Sequence, residues 1–236
     1  ALRAPAILAL VLPVLNDPDA KAYADAARSD AAKQKDVAAA VQAMAGPDNR
    51  IDFACTGFAV PWNLASGGMH LHARNLDADL YNWNTAPVLS LLDETEGHSG
   101  WHKYVAFGTA GLIYPGGISG LNDAGLSVSL HQMSTTETES GFLTGTGDIA
   151  PFTEQRMLRE CSSIDDAVDL AKDTRHFAAW TFFVSDAKTG KVVRIEVNGD
   201  DVKAVKYDGE AVAQTNHFLH PDMVERSFDE DDAHFT

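Results

Sequence analysis

The stretch from Cys55 to Asp77 constrains the fold of this chain more than any other. It reads CTGFAVPWNLASGGMHLHARNLD, with an apolar segment that begins at Cys55, a turn at 65–68 and a returning segment that ends in Arg74-Asn75-Leu76-Asp77. Two adjacent glycines between two such segments predict a β-hairpin. The returning strand would bring a guanidinium and a carboxylate beside the sulfur of Cys55.

The cysteine at the head of this hairpin is a candidate nucleophile. A thiol attacks as the thiolate, and the ordinary cysteine pKa of about 8.5 leaves it mostly protonated at neutral pH. No histidine precedes Cys55 as an obvious base. If the Ala54–Cys55 bond were cut, the new α-amino group, with a pKa of about 8, could take the thiol proton. Arg74 could then stabilise the thiolate, and Asp77 could orient the protonated amine.

These residues resemble those of the cysteine N-terminal-nucleophile (Ntn) hydrolases. Cys-Thr-Gly-Phe at 55–58, followed by Arg-Asn-Leu-Asp at 74–77, is similar to the choloylglycine hydrolases, penicillin V acylases and isopenicillin N acyltransferase-like proteins. Two further stretches resemble motifs of that family and follow in its order, the first at 120–128 and the second at Thr215-Asn216. The hairpin motif alone is moderately specific, and the three together carry the resemblance.

The resemblance also implies roles for the site residues. Cys55 would attack the carbonyl of an amide, with Arg74 against the thiolate and Asp77 holding the α-amine. Asn216 would donate its side-chain amide to the oxyanion. A backbone N–H at Gln132 would be the second donor, or that of its neighbour if the register slips by one residue. This mechanism requires no cofactor.

The histidines and the second cysteine favour structural roles. His70 and His72 lie two apart on one face of a strand, but a metal site would need a third ligand. Cys161 falls in a helical stretch and is expected to be a small buried side chain. We also expect ordinary polar positions for His131, His217 and His220.

Beyond the first hairpin, the sequence predicts an α+β fold. Residues 151–173 have helical apolar spacing with a new N-cap at Ser163, and 180–197 reads as a second hairpin. Strands at 202–207 and 211–216 are predicted to continue the sheet of that hairpin. Helices covering stacked antiparallel sheets would bury these faces. The resemblance sharpens this class to the four-layer αββα sandwich of the Ntn hydrolases.

The resemblance divides the chain at Cys55. Residues 19–45 favour a helix that Gly46-Pro47-Asp48-Asn49 would stop. Residues 1–54 are therefore predicted to be a helical pre-segment, either a pro-peptide or the first helix of the domain. Residues 55–236 would form the Ntn-hydrolase domain. Relatives usually continue beyond the Thr-Asn pair with another arginine and further strands, so we expect the domain to be truncated at its C-terminus.

Composition limits the partners and leads to a functional expectation. The 18 Lys and Arg against 34 Asp and Glu give a formal net charge of −16, which disfavours nucleic acid and anionic membranes. The apolar run at 7–12 is too short for membrane insertion. We expect an amidase that cleaves a linear carbon–nitrogen bond of a small N-acyl compound after autoproteolysis at Ala54–Cys55. An acyltransferase and a catalytically silent binding domain are the alternatives. The compartment and a homo-oligomeric state are left open.

Overall fold

Two stacked antiparallel β-sheets form the centre of this computed structural model, which describes residues 53–78, 87–109, 117–133 and 147–225. Twelve strands and three helices are assigned within these residues. In chain order they are β1 (Phe53–Val60), β2 (Leu71–Ala78), β3 (Pro87–Leu92), β4 (Tyr104–Thr109), β5 (Ser119–Asn122), β6 (Leu126–Gln132), β7 (Asp148–Ile149), α1 (Ala150–Glu160), α2 (Ile164–Lys172), β8 (His176–Phe177), β9 (Ala179–Asp186), β10 (Lys191–Asn198), β11 (Asp201–Asp208), β12 (Val212–Gln214) and α3 (Pro221–Val224).

The larger sheet has seven strands in the order β11-β10-β9-β6-β5-β4-β3, and the smaller has three in the order β12-β1-β2. The predicted α+β class with stacked antiparallel sheets is confirmed. The prediction that the segment 211–216 continues the sheet of the second hairpin is wrong. Its strand, β12, crosses to the smaller sheet and pairs with β1, Gln214 opposite Gly57.

The first hairpin forms as predicted and presents one face to the larger sheet. In its register Cys55 lies opposite Leu76, and Gly57 lies opposite Arg74. Because alternate residues of a strand share a face, these four residues point toward the same side of the smaller sheet. Cys55 and Gly57 are buried, while the intervening Thr56 is exposed. The nucleophile candidate therefore faces the space between the two sheets.

The two longer helices cover the opposite face of the larger sheet. Ser163 ends the break between them, because its side chain accepts a hydrogen bond from the Asp166 N–H and so caps α2. Both predicted helical stretches and the predicted cap are present. Between the helices and the sheet lies the main core, which includes Leu126, Val128, Leu130, Met157, Leu158, Val168, Phe182 and Ile195.

The motif at 120–128 forms the end of β5, a tight turn and the start of β6. Gly125 occupies the turn with a φ of 89°, a conformation that favours glycine. Asn122 is buried, and its side-chain oxygen accepts from the Leu126 N–H at 2.9 Å. Its amide donates to the carbonyl of Leu158 at 2.9 Å and to that of Cys161 at 2.8 Å. The motif thus fixes β6 against the C-terminal end of α1.

The predicted helix at 19–45 lies outside the described residues. The described residues supply one helical layer and the two sheets of the sandwich; the other helical layer is not found among them. In the described part of the chain, no helix has the length and apolar character needed to cross a membrane.

Candidate active site

Cys55 lies between the two sheets with Arg74 against its sulfur. Cys55 is 4 % exposed, and the Arg74 Nη2 donates to its Sγ at 3.0 Å. The same guanidinium donates from Nε and Nη2 to the carbonyl of Leu130 on β6, at 3.1 and 2.9 Å. This second anchor fixes the guanidinium from the larger sheet. A positive charge held in that position favours the thiolate form of Cys55.

The side chain of Asn216 connects the main chain of Cys55 with that of Gln132. The Cys55 N–H donates to the Asn216 Oδ1, and the Asn216 Nδ2 donates to the Gln132 carbonyl at 2.7 Å. These two partners determine the orientation of the amide, since the N–H group needs an acceptor and the carbonyl needs a donor. An asparagine NH₂ has two hydrogens, so a second N–H is present for another acceptor at this point.

The strand geometry favours Gln132 over His131 as the neighbour of Asn216. The Met133 N–H donates to the carbonyl of Ala179 on β9 at 3.0 Å. In an antiparallel pair, residues alternate between bonding to one neighbouring strand and pointing to the other side. Gln132 therefore directs its N–H and its carbonyl away from β9 and toward the side on which Asn216 lies.

Asp77 is the predicted site residue about which the structure says least. Its backbone pairs with that of Ala54, the residue immediately before Cys55. Its side chain lies outside the described part of the structure. The structure thus links four of the five predicted site residues by direct contacts. These four are Cys55, Arg74, Gln132 and Asn216. The fifth, Asp77, lies opposite the residue that precedes Cys55.

A buried layer of polar side chains lies beside this cluster, and the sequence analysis missed it. The His72 ring is 2.8 Å from the Ser127 Oγ and 3.0 Å from the Ser185 Oγ through Nδ1. Its Nε2 is 3.0 Å from the Ser129 Oγ. The alternation of Ser127, Ser129 and His131 along one strand was the available signal, because polar residues at every second position share a face.

His131 fills the contact between β6 and β1. Its ring is 0 % exposed, and its Nε2 lies 3.2 Å from the Ser129 Oγ. A Cβ added at Gly57 would lie 2.8 Å from the same Nε2. Position 57 therefore has room only for glycine if the sheets keep this spacing. His72 and His131, for which the sequence favoured ordinary polar positions, instead lie between the two sheets in contact with the serines of β6.

Both imidazoles of this layer are neutral at neutral pH. Burial lowers the pKa of His72 to about 4, and the charges of His70 and Arg74 act in the same direction. Burial likewise lowers the pKa of His131 to about 3, with Arg74 and His72 contributing. The adjacent layer consequently adds no positive charge that would compete with Arg74 beside Cys55.

The lowered pKa of His72 predicts how stability depends on pH. The unfolded chain binds a proton to this histidine at a pH of about 6.5, whereas the folded chain does so only near 4. The free energy of unfolding therefore falls as pH decreases between these values, by about 1.4 kcal/mol per pH unit for this group. In His72→Gln we expect the slope between about pH 6 and pH 4 to be smaller by that amount, measured by urea unfolding.

An exposed side chain that does not titrate provides the control for this measurement. Asn63 is exposed, so Asn63→Gln is expected to keep the wild-type slope. An unchanged slope in His72→Gln would contradict a buried neutral imidazole.

A cleft of about 630 Å³ opens beside the cluster, between β2 and the strands β4, β5 and β6. Arg74 lines it at the site, and its apolar wall includes Leu76, Phe107, Ile118 and Leu121. This volume is within the range of small-molecule sites. Among the described residues, no group of three His, Cys, Asp or Glu side chains lies close enough together to hold a metal ion.

The chain matches a known protein family. The profile of the family described as acyl-coenzyme A:6-aminopenicillanic acid acyl-transferase matches residues 64–230. An uncharacterized protein of Archaeoglobus fulgidus is 24 % identical over 191 residues, which cover 72 % of this chain. The chain spans 30 % of the length of that relative.

Among solved structures, the chain is similar to the Caenorhabditis elegans ortholog of N-acylethanolamine-hydrolyzing acid amidase. The TM-score is 0.52 at 18 % identity, with 70 % of this chain and 71 % of that chain covered. A mutant of the conjugated bile acid hydrolase from Clostridium perfringens gives a TM-score of 0.47 at 16 % identity, covering 71 % of this chain and 54 % of that chain. The first similarity supports the stacked-sheet fold.

Proposed function

The chain belongs to the acyl-coenzyme A:6-aminopenicillanic acid acyl-transferase family, and on this premise we propose that it cleaves the linear carbon–nitrogen bond of a small N-acyl compound. Cys55 is the nucleophile in this proposal, freed as the N-terminal residue by cleavage of the Ala54–Cys55 bond. The fold is shared with an amidase that, by its name, hydrolyses N-acylethanolamines, which supports an amide substrate.

One observation carries the proposal. The sulfur and the main-chain nitrogen of the same residue, Cys55, each have a dedicated partner. Arg74 contacts the sulfur, and Asn216 contacts the nitrogen and reaches Gln132. A plain hairpin ion pair would not need Asn216, which lies 161 positions away from the cysteine.

Self-cleavage is the first step of the proposed chemistry. The Cys55 sulfur attacks the carbonyl carbon of Ala54, the carbon–nitrogen bond breaks, and the nitrogen takes up a proton to become the α-amine. Water then hydrolyses the resulting thioester, which leaves a carboxylate on Ala54 and a free thiol on Cys55. Asp77, which the register places opposite Ala54, is proposed to hold the new amine.

Turnover repeats this chemistry on an external amide. The α-amine takes the thiol proton as the sulfur attacks the substrate carbonyl, and it later gives that proton to the leaving amine. Asn216 and the backbone N–H of Gln132 would donate to the oxyanion that forms in between. Water hydrolyses the acyl-enzyme, and the products are a carboxylic acid and an amine.

An acyltransferase is the second candidate, and the description of the matching family favours it. In that case an amine rather than water attacks the thioester on Cys55. The residues and the first half of the reaction are the same, so only the second product differs. The apolar wall of the cleft suits the acyl group in either reaction.

Intact mass and N-terminal sequencing of the purified protein test the proposal first. We expect a new N-terminus at Cys55, and a chain that stays whole in Cys55→Ala. The processed protein is then incubated with N-acyl amides of increasing acyl length, with and without a primary amine. Release of free acid indicates hydrolysis, and a new amide indicates acyl transfer. An uncut chain with no product and no acyl adduct on Cys55 would instead identify a silent binding domain.

A further inference from the structure

Glu196 is a buried carboxylate that the proposed chemistry does not use. It lies on β10 and is 1 % exposed. Its Oε1 lies 2.9 Å from the Nε of Arg194, whose side chain is 7 % exposed. The two residues are two apart on one strand and therefore share its face, the one turned away from the helices. Among the described residues the Arg194 Nε makes no hydrogen bond, so this contact is an ion pair, and the hydrogen bonds that a buried carboxylate requires must come from other groups.

The remaining partners of Glu196 are two backbone N–H groups of one segment. The Leu219 N–H donates to Oε1 at 2.8 Å, and the His220 N–H donates to Oε2 at 3.1 Å. This segment begins at Thr215 and carries Asn216. The carboxylate thus binds the main chain three and four residues beyond the proposed oxyanion donor.

Other contacts limit how this segment can move on its two sides. The Gln214 amide donates to the carbonyl of Thr215 at 2.9 Å and to that of His217 at 3.2 Å. Phe218 packs in a small buried cluster with Met133, the residue after Gln132. The segment 215–220 is therefore held by hydrogen bonds to Glu196. It is also held by the packing of Phe218 with Met133, the neighbour of Gln132, which is the second proposed donor.

We propose that Glu196, neutralised by Arg194, is a positioning residue that holds the segment 215–220 so that Asn216 meets both Cys55 and Gln132. The inference rests on the proposed function for its effect on catalysis, but the position of the Asn216 side chain can be measured without turnover. In this assignment Glu196 acts through the backbone of Leu219 and His220.

The effect on rate follows from the geometry that the oxyanion donors need. A displacement of about 1 Å at a reacting group can lower the rate by about a hundredfold. Glu196→Ala removes both acceptors and leaves Arg194 without its carboxylate. Glu196→Gln keeps one acceptor oxygen and removes the charge. We expect kcat to fall by about a hundredfold in the first variant and by about tenfold in the second, with KM within about twofold of wild type in both.

The Asn216 side-chain amide gives a readout that does not depend on activity. In a ¹H–¹⁵N spectrum its resonance is identified by its loss in Asn216→Asp. We expect this resonance to shift or broaden in Glu196→Ala and, to a smaller degree, in Glu196→Gln. The matched control is Asp222→Asn. This variant removes an exposed ion pair next to the segment, in which the Asp222 Oδ2 lies 2.7 Å from the Lys203 Nζ. An exposed pair contributes little, so this variant should keep both kcat and the resonance.

The outcomes separate the two proposals. A folded Glu196→Gln or Glu196→Ala with wild-type kcat and an unchanged Asn216 resonance would overturn the positioning role. If Glu196→Ala does not fold, Glu196→Gln decides alone. If the wild-type protein turns over no substrate, the proposed function fails, and the resonance still decides whether Glu196 positions Asn216.

Discussion

Replacing Cys55 by alanine is expected to abolish turnover, with a loss of at least about a thousandfold, because it removes the sulfur that forms the acyl-enzyme. The same variant should remain uncut between Ala54 and Cys55. Substrate turnover and the intact mass of the purified chain measure the two effects. The variant should stay folded, because it removes a single sulfur atom, while Arg74 keeps its hydrogen bonds to the Leu130 carbonyl and Asn216 keeps its contact with the nitrogen of residue 55.

The second cysteine provides the matched control for this experiment. Cys161 is 2 % exposed, and burial raises the pKa of its thiol to about 12, with Asp166 and Glu160 adding to the effect. A thiol that stays protonated is a poor nucleophile. Cys161→Ala should therefore keep its activity and lose only some stability from the smaller core side chain. Substantial activity in Cys55→Ala would remove Cys55 from the mechanism.

Replacing Asn216 by alanine is expected to lower kcat by about a hundredfold to a thousandfold, the usual cost of losing one oxyanion donor. KM should change much less, because this donor is needed mainly when charge develops on the carbonyl oxygen. Steady-state kinetics on a substrate from the N-acyl panel separates the two constants.

Asn63 is the matched asparagine for this second prediction. Its side-chain amide donates to the Gly209 carbonyl at 3.3 Å on the exposed part of the hairpin loop, away from Cys55. Asn63→Ala should leave kcat and KM unchanged. Equal losses in both variants would indicate a general effect on folding. A wild-type kcat in Asn216→Ala would remove the oxyanion role.

The first hairpin could be predicted from the sequence because its signals are local. Gly67 and Gly68 both adopt positive φ, of 82° and 67°, in the turn that the sequence indicated. Once the turn is fixed, the strand alternation determines that Arg74 returns to the face that carries Cys55. The resemblance then identified the distant partners Gln132 and Asn216, which no local pattern relates to the hairpin.

The sheet assignment of β12 and the buried polar layer could not be predicted in this way. A strand of three residues, Val212–Gln214, can pair with any free sheet edge, since the pairing groups are those of the backbone. Similarly, His72 and Ser129 look like solvent-facing polar residues until the second sheet covers them. Glu196 lies in a strand whose sequence, KVVRIEVN, alternates apolar and charged residues, a pattern typical of one exposed face. Its burial depends on the segment 215–220, which folds back over that face.

The bridge that Asn216 makes to Cys55 has a consequence for when the nucleophile is organised. The two residues are 161 positions apart, so the contact cannot exist while the chain is still being synthesised short of residue 216. Closing so long a loop has an entropic cost, so we expect this contact to form late in folding. A growing or partly folded chain therefore carries the cysteine without its nitrogen partner. Once the contact between Asn216 and Cys55 has formed, the two sheets have stacked, and nearly all of the described part of the chain has folded.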